Sequence, residues 1–305
     1  MLWVKKLSTI LLTYINHTLH INMIKSISFI LAILLGIGLF WAIKHKAREI
    51  ECYDRCSFKH GLALTQAHTI YSVDLQDPEQ APLDIRDSVM RGYRLIMNTP
   101  HYAPEYVKNQ LSCTNCHFLG GDTLGGKNGG IALIGVTTSY PRFSKRDNRE
   151  ISIEERIDNC FQRSMNGVSL PKNSQHMKDI VTYLQWISKE VEHIKDIPWL
   201  GLKFLKSEYK GNSQKGEKLY ISYCASCHKE NGEGGATLTA LEGKSIPPLW
   251  GPQSFNDGAG MTRLDMLSSF IYWNMPYQDA SLPEDEAIDI AAYIIKQKRP
   301  QFQRS

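Results

Sequence analysis

Cys113-Thr114-Asn115-Cys116-His117 recurs further along the chain as Cys224-Ala225-Ser226-Cys227-His228. Two residues between the thiols match the separation of the two vinyl groups of a haem, and the histidine that follows reaches the iron as proximal ligand. Each motif therefore predicts one covalently attached haem c, held by Cys113, Cys116 and His117 in the first case and by Cys224, Cys227 and His228 in the second. One such motif alone is compatible with a zinc ribbon or a dithiol redox site, but neither explains a matched pair.

A chain of 305 residues accommodates two domains of ordinary size, one for each motif. The order helix, haem motif, irregular loop, helix is read twice. Helical periodicity marks residues 84–97 (Ile85, Val89, Tyr93, Ile96) and 177–191 in the first copy, with a further candidate at 153–165, and 284–298 closes the second. The fold class is all-α: two tandem class I cytochrome c domains preceded by an N-terminal membrane anchor or signal helix. The divisions are 1–48 for the signal or anchor, 49–82 for a polar tether, 83–197 for the first haem domain, 198–213 for a linker and 214–305 for the second. A net charge of +4 with no basic run argues against a nucleic-acid partner.

Residues 27–43 are apolar and uncharged, between Lys25 and the cluster Lys44, Lys46 and Arg48. At about 1.5 Å per helical residue this run is just long enough to cross a bilayer. Phe40-Trp41-Ala42 lacks the small-x-small pattern of a cleavage site, which favours an uncleaved inner-membrane anchor over a protein soluble after cleavage. Covalent haem attachment in bacteria takes place on the periplasmic side, so the domains belong there. Met23 is an alternative start. Of seven cysteines the haems use four; Cys52 and Cys56 are placed for a local disulfide, and Cys160 is left over.

The glycine-rich stretch 119–130 imitates a phosphate loop through Gly121, Gly126 and Lys127, but Asn128 stands where a hydroxyl must hold magnesium, and no strand precedes it. Its glycines are read instead as letting backbone approach a haem. The distal ligands decide the chemistry of each iron. In the second domain Met275, in Asn274-Met275-Pro276, stands 47 residues after His228, with Met261 as its rival. The first domain has no Met-Pro and offers Cys160, Met165, His176 and Met177. If 154–165 is helical, Arg156, Cys160 and Arg163 or Ser164 share one face. A thiol between guanidiniums is a thiolate and a nucleophile; the alternative is a buried structural cysteine with surface arginines.

The segment Glu155-Arg-Ile-Asp-Asn-Cys160-Phe-Gln-Arg-Ser-Met-Asn-Gly167 lies between a first haem motif and a haem domain that ends in Asn-Met-Pro. In this it resembles the dihaem thiosulfate dehydrogenases, which also act as tetrathionate reductases. The resemblance implies an oxidoreductase with His117/Cys160 ligation at a catalytic haem and His228/Met275 ligation at an electron-transfer haem. Some members carry lysine before the methionine and exchange the two ligands; Asn274 here implies permanent methionine ligation. The implied reaction joins two thiosulfates into tetrathionate, with Arg156, Arg163 and Arg146 offsetting the repulsion between dianions. Cys160 would leave the iron and hold one thiosulfate covalently. Electrons would pass to a soluble or membrane-bound cytochrome or other carrier. The competing readings are a non-catalytic dihaem electron-transfer cytochrome, with Met165 or Met177 on the first iron, and a dihaem peroxidase.

Overall fold

Apolar side chains at helical spacing build the frame, and each half closes by crossing its first and last helices. The computed structural model describes residues 64–66, 69–71, 76–191, 200–236 and 245–303. The expected anchor at 27–43 and the pair Cys52 and Cys56 lie outside the described residues. Among the described residues no helix is long and apolar enough to cross a membrane.

In the first half α1 (Leu83–Met97) starts on an acidic turn at Asp84, which suits the positive end of its dipole, and buries Val89, Gly92, Leu95 and Ile96. Helix α2 (Ile153–Asn159) continues into a π-helical turn, Cys160–Ser164. Helix α3 (Gln175–Ile187) begins where the Ser174 hydroxyl accepts from the Met177 amide at 3.2 Å. The second half contains α4 (Ser213–Tyr223), α5 (Leu264–Asn274) and α6 (Glu284–Ile295). Among the described residues three two-stranded antiparallel pairings lie beside the helices. Packing begins ahead of the expected start at 83, because Ala81 is in the first core and the Gln76 amide donates to Asp122 Oδ2 at 3.1 Å.

The same crossing is built twice from the same parts. A Cβ on Gly92 of α1 would sit 2.1 Å from the Asp179 carbonyl oxygen of α3, and one on Gly216 of α4 would sit 1.9 Å from that of Asp289 in α6. Only glycine lets the backbones come so close. Beside each glycine a cation pairs with that aspartate: Arg91 Nε reaches Asp179 at 2.8 Å, and Lys215 Nζ reaches Asp289 at 3.1 Å. Burial alone would raise the Asp179 carboxyl, but hydrogen bonds from Arg91, Ser88 and Gln175 outweigh it and hold the pKa below its usual range. Gly216→Ala is expected to force α4 and α6 apart and cost about 3 kcal/mol. Thermal unfolding of the holoprotein would show this as a fall of roughly 10 °C or more in the second domain's transition.

The helix expected over 153–165 differs in its second half. The Met165 amide donates five residues back to the Cys160 carbonyl at 3.0 Å, which inserts one extra residue into the turn. Past Cys160 the residues therefore do not follow the spacing of a regular α-helix.

Candidate haem-linked catalytic site

Both Cys-x-x-Cys-His motifs wind into one tight turn. The His117 amide donates to the Cys113 carbonyl at 2.9 Å and the His228 amide to the Cys224 carbonyl at 2.8 Å, so each histidine is held over its first cysteine. Each imidazole also uses its Nδ1 on a backbone carbonyl: His117 on Ile131 at 2.8 Å and His228 on Pro247 at 3.1 Å. Occupying Nδ1 in this way fixes the tautomer and leaves Nε2 for a metal. Burial lowers both histidines, His117 to about 4, and so keeps the rings in the neutral, ligating form. All four motif thiols are free of disulfides. The donor set is thus the one a covalently attached haem requires, made twice.

Over the first motif sits Cys160. The capping box at Ser152 and Glu155 sets where α2 begins, and this places Arg156 and Cys160 one turn apart on one face. Arg156 Nη1 donates to Cys160 Sγ at 2.8 Å. Cys160 is the chief cause of a raised Arg156 pKa, so the guanidinium stays charged although partly withdrawn from water. Burial pushes Cys113 and Cys116 up to about 12, and the nearby charge of Cys160 adds to both shifts, which puts Cys160 beside the first haem motif. Arg156 reaches the same place, since its charge helps depress His117.

Arg146 stands in the turn of the hairpin formed by Arg142–Ser144 and Arg149–Ile151. Its pKa is lowered, first by burial and then by the positive charge of Arg156, with a further contribution from Arg263. Mutual repulsion between guanidiniums beside a cysteine sulfur is the signature of a site that an anion would relieve.

Two family profiles divide the chain: the SoxA/TsdA cytochrome c domain matches residues 101–192, and cytochrome c oxidase, cbb3-type, subunit III matches 211–294. A thiosulfate dehydrogenase of Allochromatium vinosum is 37% identical over 218 residues, which are 71% of this chain and 80% of that protein. The chain belongs to the thiosulfate dehydrogenase family. A second thiosulfate dehydrogenase, from Thiomonas intermedia, is 36% identical over 72% of this chain and 69% of its own. The solved thiosulfate dehydrogenase TsdBA of Marichromatium purpuratum superposes with a TM-score of 0.67 at 30% identity, over 74% of this chain. The match covers 49% of that structure's chain, so this protein spans about half of its length.

As a member of the thiosulfate dehydrogenase family the protein has two cytochrome c domains and carries two covalently bound c-type haems. Of the arginines expected at Cys160, the structure brings Arg156 into contact and sets Arg146 within range of its charge. Arg163 is 8% exposed, hydrogen-bonds Asn159 Oδ1 at 3.1 Å and lies 4.3 Å over the Phe302 ring. Met165 and Met177 are buried in the first core, Met275 packs against the second, and Met261 packs against both. Sequence reasoning missed Tyr140, whose phenol feels Arg156, Arg142 and Cys160. It carried no local signal, because it approaches Cys160 only through the fold.

Proposed function

We propose that the protein interconverts thiosulfate and tetrathionate at Cys160, with His117/Cys160 ligation at the first haem and His228/Met275 ligation at the second. Family membership makes it an oxidoreductase acting on thiosulfate. The observation that carries the finer reading is the Arg156 to Cys160 contact of 2.8 Å beside the first haem motif. Arg156 stabilises the thiolate, the nucleophilic form. Arg146 adds positive charge where two dianions must meet, and that field is worth most in a site screened from water.

The Cys160 thiolate joins the sulfane sulfur of one thiosulfate, giving Cys–S–S–SO3⁻ and releasing two electrons. The sulfane sulfur of a second thiosulfate then attacks the sulfur that bears the sulfonate. Tetrathionate leaves, and the Cys160 thiolate returns with the electron pair of the broken bond. Dividing the coupling keeps the two dianions from having to approach each other free in solution. Bound haems supply the one-electron acceptors that take the two electrons on toward a soluble or membrane-bound carrier. The reverse sequence uses the same groups. We place the domains in the periplasm, tethered to the inner membrane by residues 27–43 where that segment is retained.

Low-temperature electron paramagnetic resonance of the oxidised holoprotein tests the ligand set, since thiolate-ligated and methionine-ligated low-spin haems differ in g-values. One signal of each kind is expected. Two methionine-type signals would instead identify an electron carrier with an inert Cys160. Met275→Gly is expected to abolish the weak near-infrared sulfur-to-iron band of the second haem, and survival of the band would assign Met261.

A further inference from the structure

The glycine-rich loop of the first domain ends on the second domain, at the carbonyls around Met275. Helix α5 finishes at Asn274, and the last carbonyls of a helix have no partner within it. Here the first domain supplies those partners. Lys127 Nζ donates to the Tyr272 carbonyl at 3.2 Å and to that of Ala280 at 2.7 Å. The Asn128 amide donates to the Trp273 carbonyl at 3.2 Å. Asn128 Nδ2 donates to the Asn274 carbonyl at 3.0 Å and to that of Pro276 at 3.3 Å, bracketing Met275 on both sides. Asn274, fully buried, accepts from the Gly130 amide at 2.8 Å through its side-chain oxygen. The next residue, Ile131, holds the His117 ring through its carbonyl, so two adjacent residues of the loop serve the proximal side of one haem and the distal side of the other. Phe118, directly after His117, packs edge-on against Phe270 and Tyr277.

The arrangement is reciprocal. The π-helical turn that begins at Cys160 also ends on carbonyls, and the second domain meets them. Asn256 Nδ2 donates to the Gln162 carbonyl at 2.8 Å and to Asn166 Oδ1 at 3.1 Å, while its amide donates to the Arg163 carbonyl at 3.2 Å. Phe255 and Ala259, its neighbours, are buried in the first domain's core.

We propose that each domain caps, through one asparagine, the segment that carries the other domain's distal haem ligand: Asn128 positions Met275, and Asn256 positions Cys160. This rests on the ligand assignment above and goes beyond it, because the grip of each iron on its sixth ligand is then set across the interface. The notion also explains why the loop is rich in glycine without binding phosphate. Asn128 has a φ of +81°, and a Cβ on Gly130 would stand 2.6 Å from the Cys116 carbonyl oxygen, so only such residues can bring these amides to α5.

Two variants of the full dihaem protein test it. Asn128→Gly suits the positive φ and removes both Nδ2 hydrogen bonds; Asn256→Ala removes those to the π-helical turn. Imidazole is titrated against the near-infrared methionine band, and the thiolate resonance is recorded in the same samples. Asn128→Gly is expected to let imidazole displace Met275 at an about tenfold lower concentration, with the thiolate signal unchanged. Asn256→Ala is expected to shift or split the thiolate signal and leave the imidazole titration as in the wild type. Lys127→Gly, at a φ of +45°, should repeat the Asn128→Gly effect more weakly and serves if that protein does not mature. A wild-type titration curve for both loop variants, or an effect of either asparagine confined to the haem of its own domain, overturns the proposal. A wild-type protein with neither band nor thiolate signal would remove the ligand assignment itself, which is a different failure.

Discussion

Replacing Cys160 by alanine is expected to lower thiosulfate turnover by at least about a thousandfold while both haems stay attached. The two effects separate because attachment uses Cys113, Cys116, Cys224 and Cys227, none of which hydrogen-bonds Cys160. A thousandfold corresponds to about 4 kcal/mol of lost transition-state stabilisation, which is reasonable when a covalent route is closed and no nearby thiol substitutes for it. Steady-state oxidation of thiosulfate with an artificial acceptor, alongside haem stoichiometry from the pyridine haemochrome, measures both. Turnover within a few-fold of the wild type would mean that Cys160 is not the nucleophile.

Arg156→Gln should be the next most damaging change, lowering kcat/KM by about a hundredfold, or about 2.7 kcal/mol. The guanidinium is half-buried, donates to Cys160 Sγ at 2.8 Å and also interacts with Tyr140. Glutamine keeps a donor near the sulfur but removes the charge that favours thiolate over thiol. The loss should appear in kcat as well as KM, because the thiolate is required for the S–S bond and not only for anion capture. Arg156→Lys keeps the charge without the fork and should recover roughly half of the loss in free energy. If Arg156→Gln changed KM alone, the residue would be an anion receptor with no part in activating the cysteine.

The contrast between Arg156 and Arg163 shows how far sequence reasoning reaches at this site. Spacings of three and four residues put both on the face of Cys160 in a regular helix. Arg156 precedes the cysteine, where the turn is regular, and arrives. Arg163 follows it, where the π-helical turn carries one extra residue, and its guanidinium lies over Phe302. The glycine loop teaches a similar lesson. Its composition said that backbone must come close to something, but that something includes α5, well over a hundred residues further along, whose approach no local pattern announces.

What the sequence determined by itself was everything whose geometry is local: the covalent haem motifs, the amphipathic helices at either end of each domain, and the one-turn spacing of Arg156 and Cys160. These follow from bond lengths, helical period and hydrophobic pattern, which act within a few residues. The tertiary structure alone decided the glycine crossings at Gly92 and Gly216, the arrival of Tyr140 near Cys160, and the asparagines that cap across the interface. Each of these depends on satisfying a buried backbone group or filling a specific gap between distant segments. For the glycine crossings and Tyr140 that requirement exists only once a domain has folded, and for the asparagines only once the two domains have docked.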